Sequence, residues 1–174
     1  MRPVYIVKPE ASCQGQGIFM TQNGENVSPT DHYVVQTYIK KPLLIDGLKF
    51  DCRLYVLVYS IEPLRIYLYK EGLARFSTEK YEEPGGKNLK NLYMHLTNYA
   101  INCKNKGVFQ FNKSLEEDNK GHKRSFQSVI DWIKLNIEDG EKKTEKLMSQ
   151  IEKIIIRTLC TVQPSLKHYL QIPY

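Results

Sequence analysis

The chain has 174 residues, 25 Lys plus Arg against 19 Asp plus Glu, and a formal charge of +6. Its 41% hydrophobic and 25% charged content is that of a globular domain and excludes collagen, a linker or whole-chain disorder. No apolar run approaches the roughly 18 residues of a membrane helix, and the opening MRPVYIVKPE has no apolar core of a secretory leader.

The cysteines Cys13, Cys52, Cys103 and Cys160 lie far apart, with no CxxC pair and no His at zinc spacing. They read as reduced thiols in a cytosolic protein, not as a disulfide framework or metal site. Basic residues outnumber acidic ones nine to five between Lys80 and Arg124. That surface is either plainly solvated or a face for a polyanion. No RRM-type octapeptide or zinc finger points to nucleic acid.

In chain order, the first two thirds read as strands. Val4 to Lys8, Gly17 to Thr21 and His32 to Ile39 are β-branched or aromatic runs. Phe50 to Ser60 alternates, with Phe50, Cys52, Leu54, Val56 and Val58 on one side. Arg65–Tyr69 and Leu73–Phe76 predict a hairpin turning at Lys70-Glu71-Gly72. Asn102 to Gly121 is polar and predicts a loop. The period then changes. Phe126, Val129, Ile130, Ile133 and Ile137 fall on one helical face, and Asp139-Gly140 breaks that helix. A second helix, Lys142 to Val162, carries Leu147, Ile151, Ile154, Ile155, Leu159 and Val162 and is predicted to end at Pro164. The class is α+β with a mostly antiparallel sheet. The chain opens in a strand and stops at Ile172-Pro173-Tyr174, just after a helix, which predicts a piece cut from a larger domain.

Four segments could carry chemistry. In IVKPEASCQGQGIF, Lys8 ends a strand and a loop with Gly15 and Gly17 flanking Gln16 follows. Successive backbone N–H groups there could face an anion beside a lysine point charge. An ordinary glycine hairpin has the same pattern, and a Walker A loop is absent. Gln36-Thr37-Tyr38-Ile39 ends a strand whose free backbone groups could meet an adenine edge, or is a plain strand end. Lys49, Asp51 and Arg53 share one strand face, as a solvated ladder or as a charged floor for phosphate. Arg75 sits between apolar neighbours, and an inward arginine needs an anion. In HLTNYA, Thr97 and Asn98 could bond phosphate and Tyr99 offers a hydroxyl, unless the segment is a strand followed by an Asn turn; His95 reads as structural.

In this order, YIVKPEASCQGQGIF, VVQTYIKKPLLIDGLKFDCRLYVLV, EPLRIYLYKEGLARFSTEKYEEP and KNLKNLYMHLTNYAIN resemble the tubulin tyrosine ligase-like family. The resemblance covers roughly Tyr5 to Asn102 and continues more weakly through GHKRS and IEKIIIRTL. CQGQGI and HLTNYAIN look most like the polyglutamylase branch. The resemblance implies an ATP-grasp-like fold, with residues 1–45 in its central subdomain and 46–174 in its C-terminal subdomain. It implies an ATP- and Mg²⁺-dependent carboxylate–amine ligase that activates an acceptor carboxylate as an acyl phosphate and joins it to a free amino acid, here L-glutamate. The acceptor would be the acidic tail of tubulin, in the cytoplasm on the cytoskeleton, including cilium or basal body. Glycine or tyrosine as the added amino acid, or a non-catalytic microtubule-binding module, are the alternatives.

Carried over by position, Lys8, Gln14 and Gly15 would meet the ATP phosphates. Gln36, Thr37, Tyr38 and Ile39 would form the adenine hinge, and Lys49 and Asp51 would face ribose and phosphates. Thr97 and Asn98 would lie at the γ-phosphate end. Arg75 would bind the incoming carboxylate or the acyl intermediate, with Tyr99 beside the amino acid. Lys123 would be a further substrate contact, and Gln16 would touch the protein acceptor. Arg75 and Asn98 are the expected catalytic pair. The family's magnesium ligands would fall beyond Tyr174, so this chain alone is expected to be inactive.

Overall fold

Residues 2–110 and 119–170 are described by the computed structural model, so residues 111–118 of the expected polar loop and the Ile172-Pro173-Tyr174 end lie outside the described residues. The chain divides into two compact units, Met1–Asp51 with Ala74–Arg124, and Cys52–Leu73 with Ser125–Tyr174.

The first unit opens with β1 (Tyr5–Pro9), β2 (Phe19–Thr21) and β3 (Tyr33–Thr37), which pair antiparallel in the order β2-β1-β3. Central β1 meets β3 with Tyr5 opposite Thr37, Val7 opposite Val35 and Lys8 opposite Val34. Val4 and Val7 are fully buried. Val4, Met20 and Tyr38 form a core joined by Ile6, Tyr81 and Leu89. Full burial of such β-branched and aromatic side chains gains about 1.5–3 kcal/mol each, whereas four of the five β3 positions stay exposed.

A second sheet has the order β4-β5-β6-β7, from β4 (Leu44–Ile45), β5 (Leu48–Ile61), β6 (Leu64–Phe76) and β7 (Lys123–Ser125). Asp46 and Gly47 join β4 to β5 with φ of 56° and 75°, the paired left-handed conformation of a tight hairpin turn. In the first unit, the root of the β5–β6 hairpin stacks Phe50 on Phe76, with ring centroids 5.3 Å apart. Two single-turn helices, α1 (Leu92–His95) and α2 (Tyr99–Asn102), complete this unit.

The hairpin expected at Lys70-Glu71-Gly72 turns instead at Glu62-Pro63, and β6 runs unbroken through Gly72. Gly72 is a packing residue. A Cβ there would stand 2.8 Å from the Arg53 carbonyl oxygen and 2.7 Å from Leu54 Cδ2. Glycine in that strand marks close backbone approach, whereas Pro63 has no N–H to offer a ladder.

The second unit contains the far part of that hairpin, α3 (Phe126–Asn136) and α4 (Gly140–Leu170). Ser125 caps α3 by accepting the Ser128 N–H at 3.0 Å. Phe126, Val129, Ile130 and Ile133 form its buried face. At Gly140 a Cβ would lie 2.5 Å from the Ile133 carbonyl oxygen, so only glycine lets α4 start there. Pro164, expected to end the second helix, lies inside α4, which continues to Leu170. A helical φ suits proline. Around it, Gln163 donates to the Ile61 carbonyl at 2.8 Å and Lys167 pairs with Glu62, tying the helix to the hairpin turn. The expected α+β class, antiparallel sheets followed by helices, is the architecture found.

Candidate functional site

The first unit gathers most of the singled-out residues. Lys8 and Gln36 project from the same face of β1 and β3, two positions out of direct register, and Lys8 Nζ donates to Gln36 Oε1 at 2.9 Å. After β1 the chain enters the glycine loop, where Gln14, Gly15 and Gly17 have φ of 58°, 86° and 69°. A Cβ on Gly15 would lie 2.6 Å from Ile101 Cδ1 and 3.1 Å from Asn98 Cγ. The loop backbone therefore rests directly on the HLTNYAIN segment, and a side chain would lift it away.

Lys49 and Asp51 leave the root of β5. Lys49 Nζ donates to the Tyr38 hydroxyl and to the His95 carbonyl, both at 2.8 Å, and stands 4.3 Å from the Tyr38 ring centre. Burial lowers the Lys49 pKa to about 8; Asp51 opposes that shift and the charge of Lys8 adds to it. Two like charges are thus held in one neighbourhood, where an anion would relieve them.

Asp51 accepts both arms of Arg75, with Arg75 Nε at 3.0 Å from Oδ1 and Nη2 on Oδ2. This two-point pairing supplies the anion that an inward arginine requires. Arg75 also lines a cavity of about 330 Å³ with Gln14, Asn98, Tyr99, Ala100 and Cys103. Gln14 and Ala100 are shared with a larger hollow of about 610 Å³, which Gly15, Gln16, Lys90 and Lys104 also line.

The HLTNYAIN segment is two short helices with Leu96, Thr97 and Asn98 between them. Asn102, 1% exposed, fixes it. Its Oδ1 accepts from the Thr78 N–H at 2.8 Å and hydroxyl at 2.9 Å, while its Nδ2 donates to the carbonyls of Leu96 at 2.8 Å and Asn98 at 3.1 Å. One side chain so holds the backbone on both sides of Thr97.

A family model described as "Tubulin-tyrosine ligase family" matches residues 2–172. The chain belongs to that family. It is 53% identical over 166 residues to a probable beta-tubulin polyglutamylase of Tetrahymena thermophila, covering 95% of this chain and 14% of that protein. It is 44% identical over 164 residues to mouse tubulin polyglutamylase TTLL13, covering 94% of this chain and 19% of the relative. Tubulin polyglutamylase TTLL7 of Xenopus tropicalis is 41% identical over 164 residues, 94% of this chain and 17% of its own length. The chain therefore spans between 14% and 19% of these relatives. Its antiparallel sheets and C-terminal helices are those of an ATP-grasp-like member of the tubulin-tyrosine ligase family.

Within this family member, the expected hinge residues are not equivalent. Gln36, Thr37 and Ile39 are exposed, but Tyr38 is 5% exposed and its N–H donates to the Val4 carbonyl at 2.8 Å. Lys123 is exposed on β7 and lines neither of the two cavities above. Its neighbour Arg124 turns inward. Arg124 pairs with Asp46 at 2.7 Å and lies 4.2 Å from the Phe76 ring centre. Sequence reasoning passed over Arg124, Asn102 and the inward phenol of Tyr38. Strand alternation beside Lys123 was the available signal for Arg124.

Proposed function

We propose that this chain is the nucleotide-gripping part of an ATP-dependent carboxylate–amine ligase, a tubulin polyglutamylase that adds L-glutamate to glutamate side chains in acidic tubulin tails on the cytoskeleton, cilium or basal body included. The observation that carries this reading is the charge arrangement of Lys8, Lys49, Asp51 and Arg75 beside the Gln14–Gly17 loop. The names of the relatives support the substrate class.

A triphosphate fits the residues present. Lys8 depresses the proton affinity of Lys49, so a bound polyanion would remove a repulsion already built in. When bound, ATP supplies the phosphoryl group that makes a carboxylate oxygen able to leave; Mg²⁺ would accompany the triphosphate and is assigned to no residue here. The chain's own parts then have separate tasks. Lys8 and Lys49 neutralise phosphate charge, with Gln14 and Gly15 alongside. Gln36 through Ile39 flank the base, Tyr38 by its main chain, and Asp51 faces the ribose side while it holds Arg75. Thr97 and Asn98, held by Asn102, orient the terminal phosphate. Arg75, already shaped for a carboxylate by Asp51, takes the incoming amino acid carboxylate, with Tyr99 beside it. Gln16 meets the acceptor, and Lys123 is a more distant substrate contact. Residues 1–45 and 46–174 are then parts of two ATP-grasp subdomains.

The test is calorimetric titration of ATP, with and without Mg²⁺, into the chain and its Lys8→Met and Lys49→Met variants. Binding that weakens about tenfold or more in each variant supports the reading, as expected for a lost charge-assisted contact. Equal affinity in all three proteins removes it.

A further inference from the structure

Lys49 carries three ammonium hydrogens. Two are taken by the Tyr38 hydroxyl and the His95 carbonyl, each at 2.8 Å. The Tyr38 oxygen in turn lies 3.2 Å from His95 Nδ1. Having accepted from Lys49, the phenol has one hydrogen to give; of the two acceptors on His95, Nδ1 at 3.2 Å is nearer than the carbonyl at 3.4 Å and takes it if the ring proton sits on Nε2. Tyr38 and Tyr81 both meet the imidazole edge-on, at 5.5 and 5.8 Å between centres, so the ring is clamped. His95 is 0% exposed, and besides the Tyr38 hydroxyl at Nδ1 its ring meets the backbone of Asn88.

We propose that Tyr38 and His95 are positioning residues for Lys49, in which phenol and carbonyl spend two ammonium hydrogens and reserve the third for a phosphate oxygen of a nucleoside triphosphate. The inference rests on the nucleotide reading above and adds residues to it. The relay Lys49–Tyr38–His95 is neutral apart from the ammonium. Burial and the charge of Lys49 lower the His95 pKa and outweigh a backbone hydrogen bond with Asn88 that raises it, so the imidazole stays uncharged at neutral pH. Burial also raises the Tyr38 phenol, which keeps its proton. The other groups facing Lys49 are Asp51 on its own strand and Lys8 on β1, which act in opposite directions. Tyr81 lies against the Tyr38 phenol, adds to the rise in its pKa by charge and hydrogen bonding, and spends its own hydrogen on the Lys40 carbonyl at 2.6 Å.

The experiment is an NMR titration of the chain carrying ¹³Cε-labelled lysine, with Lys49 assigned by its disappearance in Lys49→Met. Tyr38→Phe removes an acceptor from the charged form, so the Lys49 midpoint falls by about one pH unit. Lys8→Met removes a repelling charge and moves the midpoint the other way. At pH 7.5 the Tyr38→Phe chain binds ATP about fivefold more weakly, one hydrogen bond's worth. A Lys49 midpoint unmoved by Tyr38→Phe overturns the proposal. Should that variant unfold, ¹⁵N shifts of His95 in the unaltered chain decide. The neutral ring protonated on Nε2 upholds the relay, and a proton on Nδ1 at pH 7 overturns it. The two readings fail separately: ATP affinity indifferent to Lys49→Met sinks the nucleotide reading, and the titration alone judges the relay.

Discussion

Arg75 holds Asp51 through two parallel contacts across the root of the β5–β6 hairpin, so the cation facing the smaller cavity is already half neutralised from behind. The pair is about one quarter to one third exposed, at 26% and 35% for the two side chains. Solvent screening keeps its contribution to stability near 1 kcal/mol. Asp51→Asn and Arg75→Lys should each lower stability by about that much, with a coupling of similar size in a double-mutant cycle. Urea unfolding checks it; additive effects would show that the contacts are not coupled.

Asn102 carries more weight. Asn102→Ala takes the side-chain donor from the Leu96 carbonyl in a buried site, while the Thr78 N–H keeps the Tyr93 carbonyl at 3.1 Å. The cost is about 1–3 kcal/mol, that of one unmade buried bond. Amide exchange should rise first at Leu96 to Asn98, ahead of global unfolding. Exchange that stays uniform across the first unit would contradict this.

Gly15→Ala places a methyl group 2.6 Å from Ile101 Cδ1 at a backbone φ of 86°. The backbone strain alone is of order 1–3 kcal/mol. The loop then gives up its seat on Asn98, so hydrogen exchange at residues 14–17 accelerates while α3 and α4 are unchanged. Loss of protection in both units would instead mean general destabilisation.

The lowered Lys49 pKa makes a signed prediction. In the unfolded chain the amine titrates near 10.5, in the folded chain near 8, so between those values the unfolded state binds more protons. Stability from this group is therefore at its lowest below pH 8 and recovers as pH rises toward 10.5. Lys49→Met removes that slope. The unfolding free energy of the unaltered chain minus that of the variant should rise from about pH 7 to pH 9.5. A difference independent of pH rules out the depressed amine.

Local pattern carried much of this fold. The β-branched runs at β1 to β3 form the strands their composition predicts, though four of the five β3 positions stay exposed, and α3 buries every third or fourth residue as periodicity predicts. Errors arose where a breaker had two meanings. Gly72 looks like a turn and is a close approach to Arg53; Pro164 looks like a stop and sits in a helix held on both sides. Asp46-Gly47, a strong hairpin signal between Ile45 and Leu48, was legible and passed over. In the candidate site, residue types were readable but pairings were not. Lys49 meets His95 across 46 positions and Asp51 meets Arg75 across 24, distances that no local window spans.

The lengths of β5 and β6 have a practical consequence. At 14 and 13 residues they far outrun β4, whose two pairings stop at Lys49. Past that point no strand of the described residues flanks β5 on that side. Tyr55, Leu57 and Tyr59 sit on the same stretch with half to two thirds of their surface in water. Such a ribbon invites a neighbour's backbone to zip onto it. Purified at high concentration, the polypeptide should self-associate edge to edge, and Leu57→Lys should keep it monodisperse in light scattering.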